Sequence, residues 1–204
     1  MTRSSRLVVA FTIALSAAFV APGTSQPATT PRTETATFAA GCFWCAEEAF
    51  EKVDGVISAT SGFTAGHTPN PTYEQVSSGG TGHTEAVQVT YDPAKVSYET
   101  LLKTFWHNVD AVDAGGQFCD RGSQYRSGIY VHSPAQQQQA EESKTQIAAQ
   151  LGKSVATEIV AVGPFYKAED YHQDYYKKNP ARYKFYKWNC GRAQRLEALW
   201  GKKD

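Results

Sequence analysis

Four cysteines are the residues of this chain best suited to chemistry: Cys42 and Cys45, separated by Phe43 and Trp44, and the isolated Cys119 and Cys190. Phe43, Ala46, Phe50 and Val53 recur at helical spacing after Gly41-Cys42, so Cys42 falls at the start of a helix. There, free backbone N–H groups and the positive end of the helix dipole favour a thiolate, the nucleophilic form of cysteine. Two structural disulfides are the alternative use of four cysteines in an exported chain, with three pairings open. Zinc is disfavoured, because a tetrahedral site calls for a second closely spaced pair and no histidine is placed to complete one. Covalent haem attachment needs His directly after Cys45, where the sequence has Ala46.

A short strand over 35–39 leads into Gly41-Cys42, and Asp54-Gly55 stops the helix that follows. A second strand is expected over 56–63. The loop after it, 64–83, is crowded with Gly, Pro, Ser and Asn, and loops of that length are usually functional or disordered. Residues 84–91 alternate, with Glu85, Val87, Val89 and Tyr91 on one face and Ala86, Gln88 and Thr90 on the other. Glu85 thus shares the apolar face, where loss of water raises a carboxyl pKa. A lone Glu turned into solvent at a strand end is the competing reading.

Ser97 is placed to cap a helix with Leu101, Leu102, Phe105, Trp106 and Val109 inward, and a polar loop runs over 110–124. A strand over 127–132 is followed by Ser133-Pro134-Ala135-Gln136, which combines a capping Ser, Pro at the first helical position and Gln at the third; this helix closes near Gly152. A strand over 155–162, a helix over 168–178 ended by Asn179-Pro180, and a last helix over 192–200 complete the chain. Strands and helices mix without a strict βαβ alternation. The expected class is α+β, one domain with a mixed or antiparallel sheet and packed helices.

The 204 residues, 41% of them hydrophobic, supply one substantial core but not two ordinary domains. Twenty basic and twenty acidic side chains cancel, so no bulk field favours nucleic acid, an anionic membrane or an acidic substrate. Arg3 and Arg6 precede an apolar run from Leu7 to Val20, broken only by Thr12 and Ser16, and shorter than the roughly 20 residues of a membrane span. Residues 1–25 therefore read as a signal peptide cleaved between Ala18 and Gln26, and 26–33 as a linker. With no cysteine near the cleavage region, a lipoprotein anchor is not expected, and the mature protein is expected in the periplasm or secreted.

Gly41-Cys42-Phe43-Trp44-Cys45-Ala46-Glu47 resembles the active-site segment of the peptide methionine sulfoxide reductases, family A. The likeness continues through Pro69-Asn70-Pro71-Thr72-Tyr73, Gly82-His83-Thr84-Glu85-Ala86-Val87, Asp120-Arg121-Gly122-Ser123-Gln124-Tyr125-Arg126-Ser127, Pro164-Phe165-Tyr166-Lys167-Ala168-Glu169 and Tyr171-His172-Gln173. It spans 37–191. The resemblance implies a ferredoxin-like core and reduction of the S epimer of methionine sulfoxide, free or in oxidised proteins, by thiols without a metal or an organic cofactor. Residues 34–204 are then the reductase domain with a C-terminal recycling tail. The expected reductant is thioredoxin-like, and the enzyme is expected to act as a monomer.

By the same resemblance, Cys42 is the nucleophile and Glu85 the acid that protonates the sulfoxide oxygen, with Tyr73 and Tyr125 hydrogen-bonding that oxygen. Phe43 and Trp44 match the pocket for the S-methyl group, and Asp120 and His172 match positions near it. Taken singly, the aromatic residues suit core packing, Asp120 a turn cap and His172 a helix surface. Once methionine leaves, Cys42 is expected as a sulfenic acid that a second thiol converts to a disulfide. Cys190 matches the C-terminal recycling cysteine seen in parts of the family, and Gly191 beside it gives the backbone freedom. It is the preferred resolver, with Cys45 second because a bond across a regular helix is strained. Cys119 is open between a structural and a relay role.

The rival reading takes Cys42-Phe43-Trp44-Cys45 as the dithiol of a thioredoxin-like disulfide exchanger. That fold needs a βαβ arrangement and a cis-Pro loop facing the motif, and neither Pro69 nor Pro164 is evidently placed for it. A third reading is a secreted binding domain whose cysteines are staples.

Overall fold

A computed structural model describes residues 32–201. The expected signal peptide and most of the linker lie outside the described residues. In chain order the elements are β1 (Glu34–Ala40), α1 (Phe43–Glu51), β2 (Val56–Thr64), α2 (Tyr73–Ser77), β3 (Thr84–Tyr91), α3 (Tyr98–Trp106), β4 (Gly116–Gln117), β5 (Asp120–Arg121), β6 (Ser127–Val131) and α4 (Pro134–Leu151). They continue as β7 (Glu158–Ala161), β8 (Tyr166–Lys167), α5 (Tyr175–Lys178), α6 (Pro180–Asn189) and α7 (Arg192–Trp200).

The alternating apolar patterns of β1, β2, β3 and β6 pair into an antiparallel sheet in the order β6-β1-β3-β2, with α1 and α3 as the two crossovers. This β-α-β-β-α-β order is the ferredoxin-like arrangement. At the edges β7 joins β6 in parallel and β8 joins β2 antiparallel, which makes the six-stranded sheet mixed. The strand leading into Cys42 has antiparallel neighbours on both sides, unlike the parallel βαβ unit the thioredoxin-like reading requires.

One face of the sheet carries the main core. Phe38 of β1 is fully buried and stacks on Phe50 of α1 at 4.8 Å and on Phe105 of α3 at 5.4 Å, with Val87, Val89, Leu101 and Ile129 around it. Truncating so central a ring to Ala costs about 3–5 kcal/mol. The capping signals act as expected: Ser97 Oγ accepts the Thr100 N–H, Ser133 Oγ accepts the Gln136 N–H, and Gly152 ends α4 at φ 61°.

Five stretches differ from expectation. The loop over 64–83 contains α2, started by a capping box between Thr72 and Gln75, and the loop over 110–124 contains β4, β5 and a 3-10 turn at Ser123–Tyr125. The strand over 155–162 shortens to β7. The helix expected over 168–178 forms only as α5, because tertiary bonds hold the segment before it: Gln173 Oε1 accepts the Ser61 N–H, Gln173 Nε2 donates to Ser61 O and Ala168 O, and Asp174 takes φ 55°. α5 ends at Asn179-Pro180 as expected, and Pro180 is also the first residue of α6, a helix the sequence reading did not place.

Candidate active site

The end of β1 turns into α1 through Gly41, which sits at φ 75° and has no room for a side chain: a Cβ there would lie 2.5 Å from Gln117 Cβ. The turn leaves Cys42 as the N-cap at φ −49° and ψ 119°, outside the helix proper, with its carbonyl accepting the Cys45 and Ala46 N–H groups at 3.1 and 3.4 Å. Cys42 and Cys45 are both buried free thiols, near enough to shift each other's pKa.

The expected depression of the Cys42 pKa is not what the folded pocket produces. Burial first, then the Cys45 thiol and the Glu85 carboxyl, push the Cys42 thiol up. Cys45 is instead drawn down to about 6, by the Cys42 hydrogen bond first and, against burial, by Arg192, Tyr183 and Lys187. At the helix start the Phe43 N–H, a donor expected to favour a Cys42 thiolate, goes instead to Glu85 Oε2 at 2.9 Å.

Glu85 lies on the inward face of β3 as the alternation requires and is 2% exposed. Burial, with the charges of Asp120 and Cys45, outweighs the Phe43 N–H and raises its carboxyl to about 8, so it is a protonated acid at neutral pH. Tyr73 opens α2, and its N–H donates to Glu169 Oε1 at 3.0 Å. Tyr125 closes the 3-10 turn, which Thr84 Oγ1 holds by donating to Gln124 O at 3.0 Å. Gln124 Nε2 donates in turn to Ser77 O, so the two tyrosine-bearing loops are tied together. Burial and the nearby Glu85 push both phenols above their ordinary range, which keeps them hydrogen-bond donors.

Cys42, Phe43, Trp44, Tyr73, Glu85, Asp120 and Tyr125 line one small pocket of about 60 Å³, joined by Tyr186. His172 backs the pocket: it is 1% exposed, packs with its ring tilted against Tyr73 at 4.3 Å between centroids, and accepts the Trp44 Nε1–H at Nδ1 at 3.0 Å. It is thus no surface helix residue. Asp120 is likewise not a turn cap, since its carboxylate accepts the Tyr186 hydroxyl. Burial raises the Asp120 pKa while Tyr186 and Arg192 oppose the rise. Cys190 lies at the rim in a disulfide with Cys119. A larger groove of about 480 Å³, between His107 and Trp200, contains no cysteine.

Sequence reasoning missed Tyr186, Tyr175 and Arg192. Tyr175 stacks flat on Trp44 at 3.8 Å, and Arg192, 3% exposed, donates to Ala40 O and Asn108 O and so anchors the Cys190 segment beside β1. Tyr183 and Tyr186 are one helical turn apart, a signal that was legible only if Pro180 is taken as a helix start.

A buried thiol pair at a helix start, facing a protonated carboxylic acid and two phenols on an antiparallel α+β sheet, defines a cysteine-dependent oxidoreductase. The family model described as peptide methionine sulfoxide reductase matches residues 34–204. A peptide methionine sulfoxide reductase MsrA of Bacillus licheniformis is 50% identical over 176 residues, covering 83% of this chain and 95% of the relative. MsrA 2 of Caulobacter vibrioides is 48% identical over 96% of this chain and 98% of its own length. Methionine sulfoxide reductase A of Corynebacterium diphtheriae superposes with a TM-score of 0.70 at 39% identity, covering 76% of this chain and 77% of that one. Mxr1 of Saccharomyces cerevisiae in complex with Trx2 shares the fold at 23% identity and a TM-score of 0.52, over 74% and 91% of the two chains. The chain belongs to the peptide methionine sulfoxide reductase family, and it is an enzyme that reduces methionine (S)-sulfoxide to methionine.

Proposed function

We propose that Cys42 is the nucleophile of this reduction and Glu85 its acid. The observation that carries the reading is their joint placement in one pocket, with the carboxyl held protonated and bonded to the N–H of the residue after Cys42. Sulfur of Cys42 attacks the sulfoxide sulfur, charge moves to oxygen, and Glu85 supplies a proton while Tyr73 and Tyr125 hydrogen-bond the same oxygen. Methionine leaves with its sulfur reduced, and Cys42 retains the oxygen as a sulfenic acid. Phe43 and Trp44 form the apolar wall for the S-methyl group, with His172 fixing Trp44 and Asp120 closing the polar side. The sulfenic acid then condenses with Cys190 or Cys45.

A thioredoxin-like dithiol is the proposed reductant, a reading supported by the yeast Mxr1 complex with Trx2, and the enzyme acts as a monomer on free or protein-bound methionine sulfoxide. The Arg3–Val20 leader pattern supports work outside the cytoplasm. Reacting the reduced Cys42→Ser chain with the separate epimers of N-acetylmethionine sulfoxide tests the assignment. Methionine formation from the S epimer should vanish, and its persistence overturns the nucleophile.

A further inference from the structure

We propose that Tyr171 and the Glu74 carboxylate near it form a subsite at the pocket rim for the residue adjoining methionine sulfoxide in a peptide chain, and that this subsite selects a cationic neighbour, arginine above all. The inference deepens the reading above by naming a substrate class, and it rests on the pocket around Cys42 as the place of reduction.

Tyr171 is 54% exposed, yet its ring is the outer end of a run of rings that leads into the pocket. It lies 4.1 Å from the His172 ring, which in turn lies 4.3 Å from Tyr73 and 5.0 Å from Phe43, two of the residues that line the pocket. Burial first, then Glu85 and Cys42, raise the Tyr73 phenol, and Tyr171 is near enough to add to the rise. Consecutive Cα atoms of a bound peptide are about 3.8 Å apart. The residue next to a methionine sulfoxide held in the pocket therefore stands over this rim.

The backbone that carries Tyr171 is fixed by bonds to the rest of the fold. The Ala168 N–H donates to Ser61 O at 2.9 Å, the His172 N–H to Glu169 O at 2.9 Å and the Asp174 N–H to Glu47 Oε1 at 2.9 Å, while the Gln173 amide bonds both the N–H and the carbonyl of Ser61. Glu169 Oε1 accepts the Tyr73 N–H at 3.0 Å, which locks this segment to the start of α2, where Glu74 is the next residue. An exposed ring on so fixed a segment needs little ordering when a ligand docks.

The charge around the ring selects the neighbour. Glu74 is exposed, Glu169 Oε2 is buried without a hydrogen-bond partner, and neither carboxylate is in an ion pair among the described residues. After partial burial, Glu169 and Glu74 push the Tyr171 phenol up, and both oppose the burial that lowers His172. Their charge is thus felt at the rim. The lysines of the same segment are engaged by Asp170: Lys167 donates to its Oδ1 at 2.7 Å and Lys178 to its carbonyl at 2.8 Å. A cation over the phenol face is attracted by the ring quadrupole and by Glu74 together. A guanidinium is flat and weakly hydrated, so it stacks there better than an ammonium. A carboxylate in the same place meets Glu74 as a like charge.

The test is kcat/KM of the full-length chain, with dithiothreitol as reductant, for N-acetylated and amidated tripeptides that carry methionine (S)-sulfoxide at the centre and Arg, Ala, Phe or Glu on one side, each side in turn. On one side Arg should exceed Glu by about 3- to 20-fold with Ala between them, and the advantage should shrink as NaCl is raised from about 20 to about 500 mM. The readout is the Arg-to-Glu ratio within one preparation, so a variant that folds or turns over less well still reports it. Tyr171→Phe should keep the ratio, Tyr171→Ala should at least halve it, and Glu74→Gln should lower it and weaken its salt dependence. Equal values for Arg, Ala and Glu, Phe above Arg, or a ratio undiminished in Tyr171→Ala overturns the subsite and leaves the roles of Cys42 and Glu85 standing. Methionine formed from these peptides by Cys42→Ser instead removes the nucleophile assignment, and this inference with it.

Discussion

The Glu85 carboxyl accepts the Phe43 N–H at 2.9 Å, so the proposed acid is tied to the residue following the proposed nucleophile across 42 positions of chain. Because burial raises that carboxyl to about 8, the part of the reductive step that needs its proton should be lost as pH rises through about 8. Glu85→Gln keeps an acceptor for Phe43 but has no acidic proton, and should slow single turnover by about 10²- to 10⁴-fold and abolish the limb near pH 8. Rapid-quench methionine formation across pH measures both.

The same kind of burial has a stability consequence at Glu47, whose carboxyl is raised to about 7 chiefly by burial, opposed by the Asp174 N–H and the Ser61 hydroxyl. Between an ordinary glutamate near 4.5 and this value, the folded state holds a proton that the unfolded chain releases. Stability therefore falls as pH rises through that window. Glu47→Gln cannot ionise, so urea midpoints measured from pH 4.5 to 7 should decline less with pH than those of the parent.

Tyr73 and Tyr125 arrive from two loops that Gln124 ties together through Ser77 O. Each Phe variant removes one donor to the sulfoxide oxygen and leaves the pocket wall. Each should lower kcat/KM by about 10- to 10³-fold, and the pair should cost more than either alone. A double-mutant cycle on single-turnover rates checks this, and a Tyr73→Phe variant of undiminished rate would remove that phenol from the oxygen site.

The parts legible in sequence were those fixed by local rules. The alternation of 84–91 placed Glu85 on the inward face, and Ser97, Ser133 and Gly152 marked helix ends because capping is a short-range effect. The parts that were not legible depend on contacts distant in sequence. Nothing local announces that Gln173 will bond Ser61 and prevent a helix over 168–174, or that Tyr186 will meet Asp120. The Cys42 pKa was not legible for the same reason, since the burial that raises it, and the Glu85 carboxyl that adds to it, come from packing distant in sequence.

Gly41 should tolerate no side chain. At φ 75° an Ala is strained by about 1–2 kcal/mol, and its Cβ would meet Gln117, whose amide bonds the Asp110 N–H and carbonyl. Gly41→Ala should therefore lower Tm by several degrees and reduce the single-turnover rate more than stability loss explains, because the turn that makes Cys42 an N-cap is displaced. Measuring both on one preparation separates the effects.

His172 accepts the Trp44 Nε1–H at Nδ1, and burial holds its pKa below the ordinary histidine value. The ring is neutral at pH 7, with its hydrogen on Nε2. His172→Ala leaves the indole N–H without its acceptor, at a cost of about 1–3 kcal/mol, and opens space between Phe43 and Tyr73, which the imidazole touches at 5.0 and 4.3 Å. With Trp44 proposed as the methyl wall rather than part of the proton path, KM for the S epimer should rise and discrimination against the R epimer should weaken, with a smaller change in kcat. The pH dependence has a definite sign. A depressed histidine contributes stability above about pH 6.5, and that contribution is lost as pH falls through the folded value. Once pH falls below the folded value, protonation of Nδ1 removes the acceptor, so the parent's KM should rise toward that of His172→Ala, whose own KM should show no such limb. Matching acid limbs in the two proteins would rule out His172 as the group that holds Trp44.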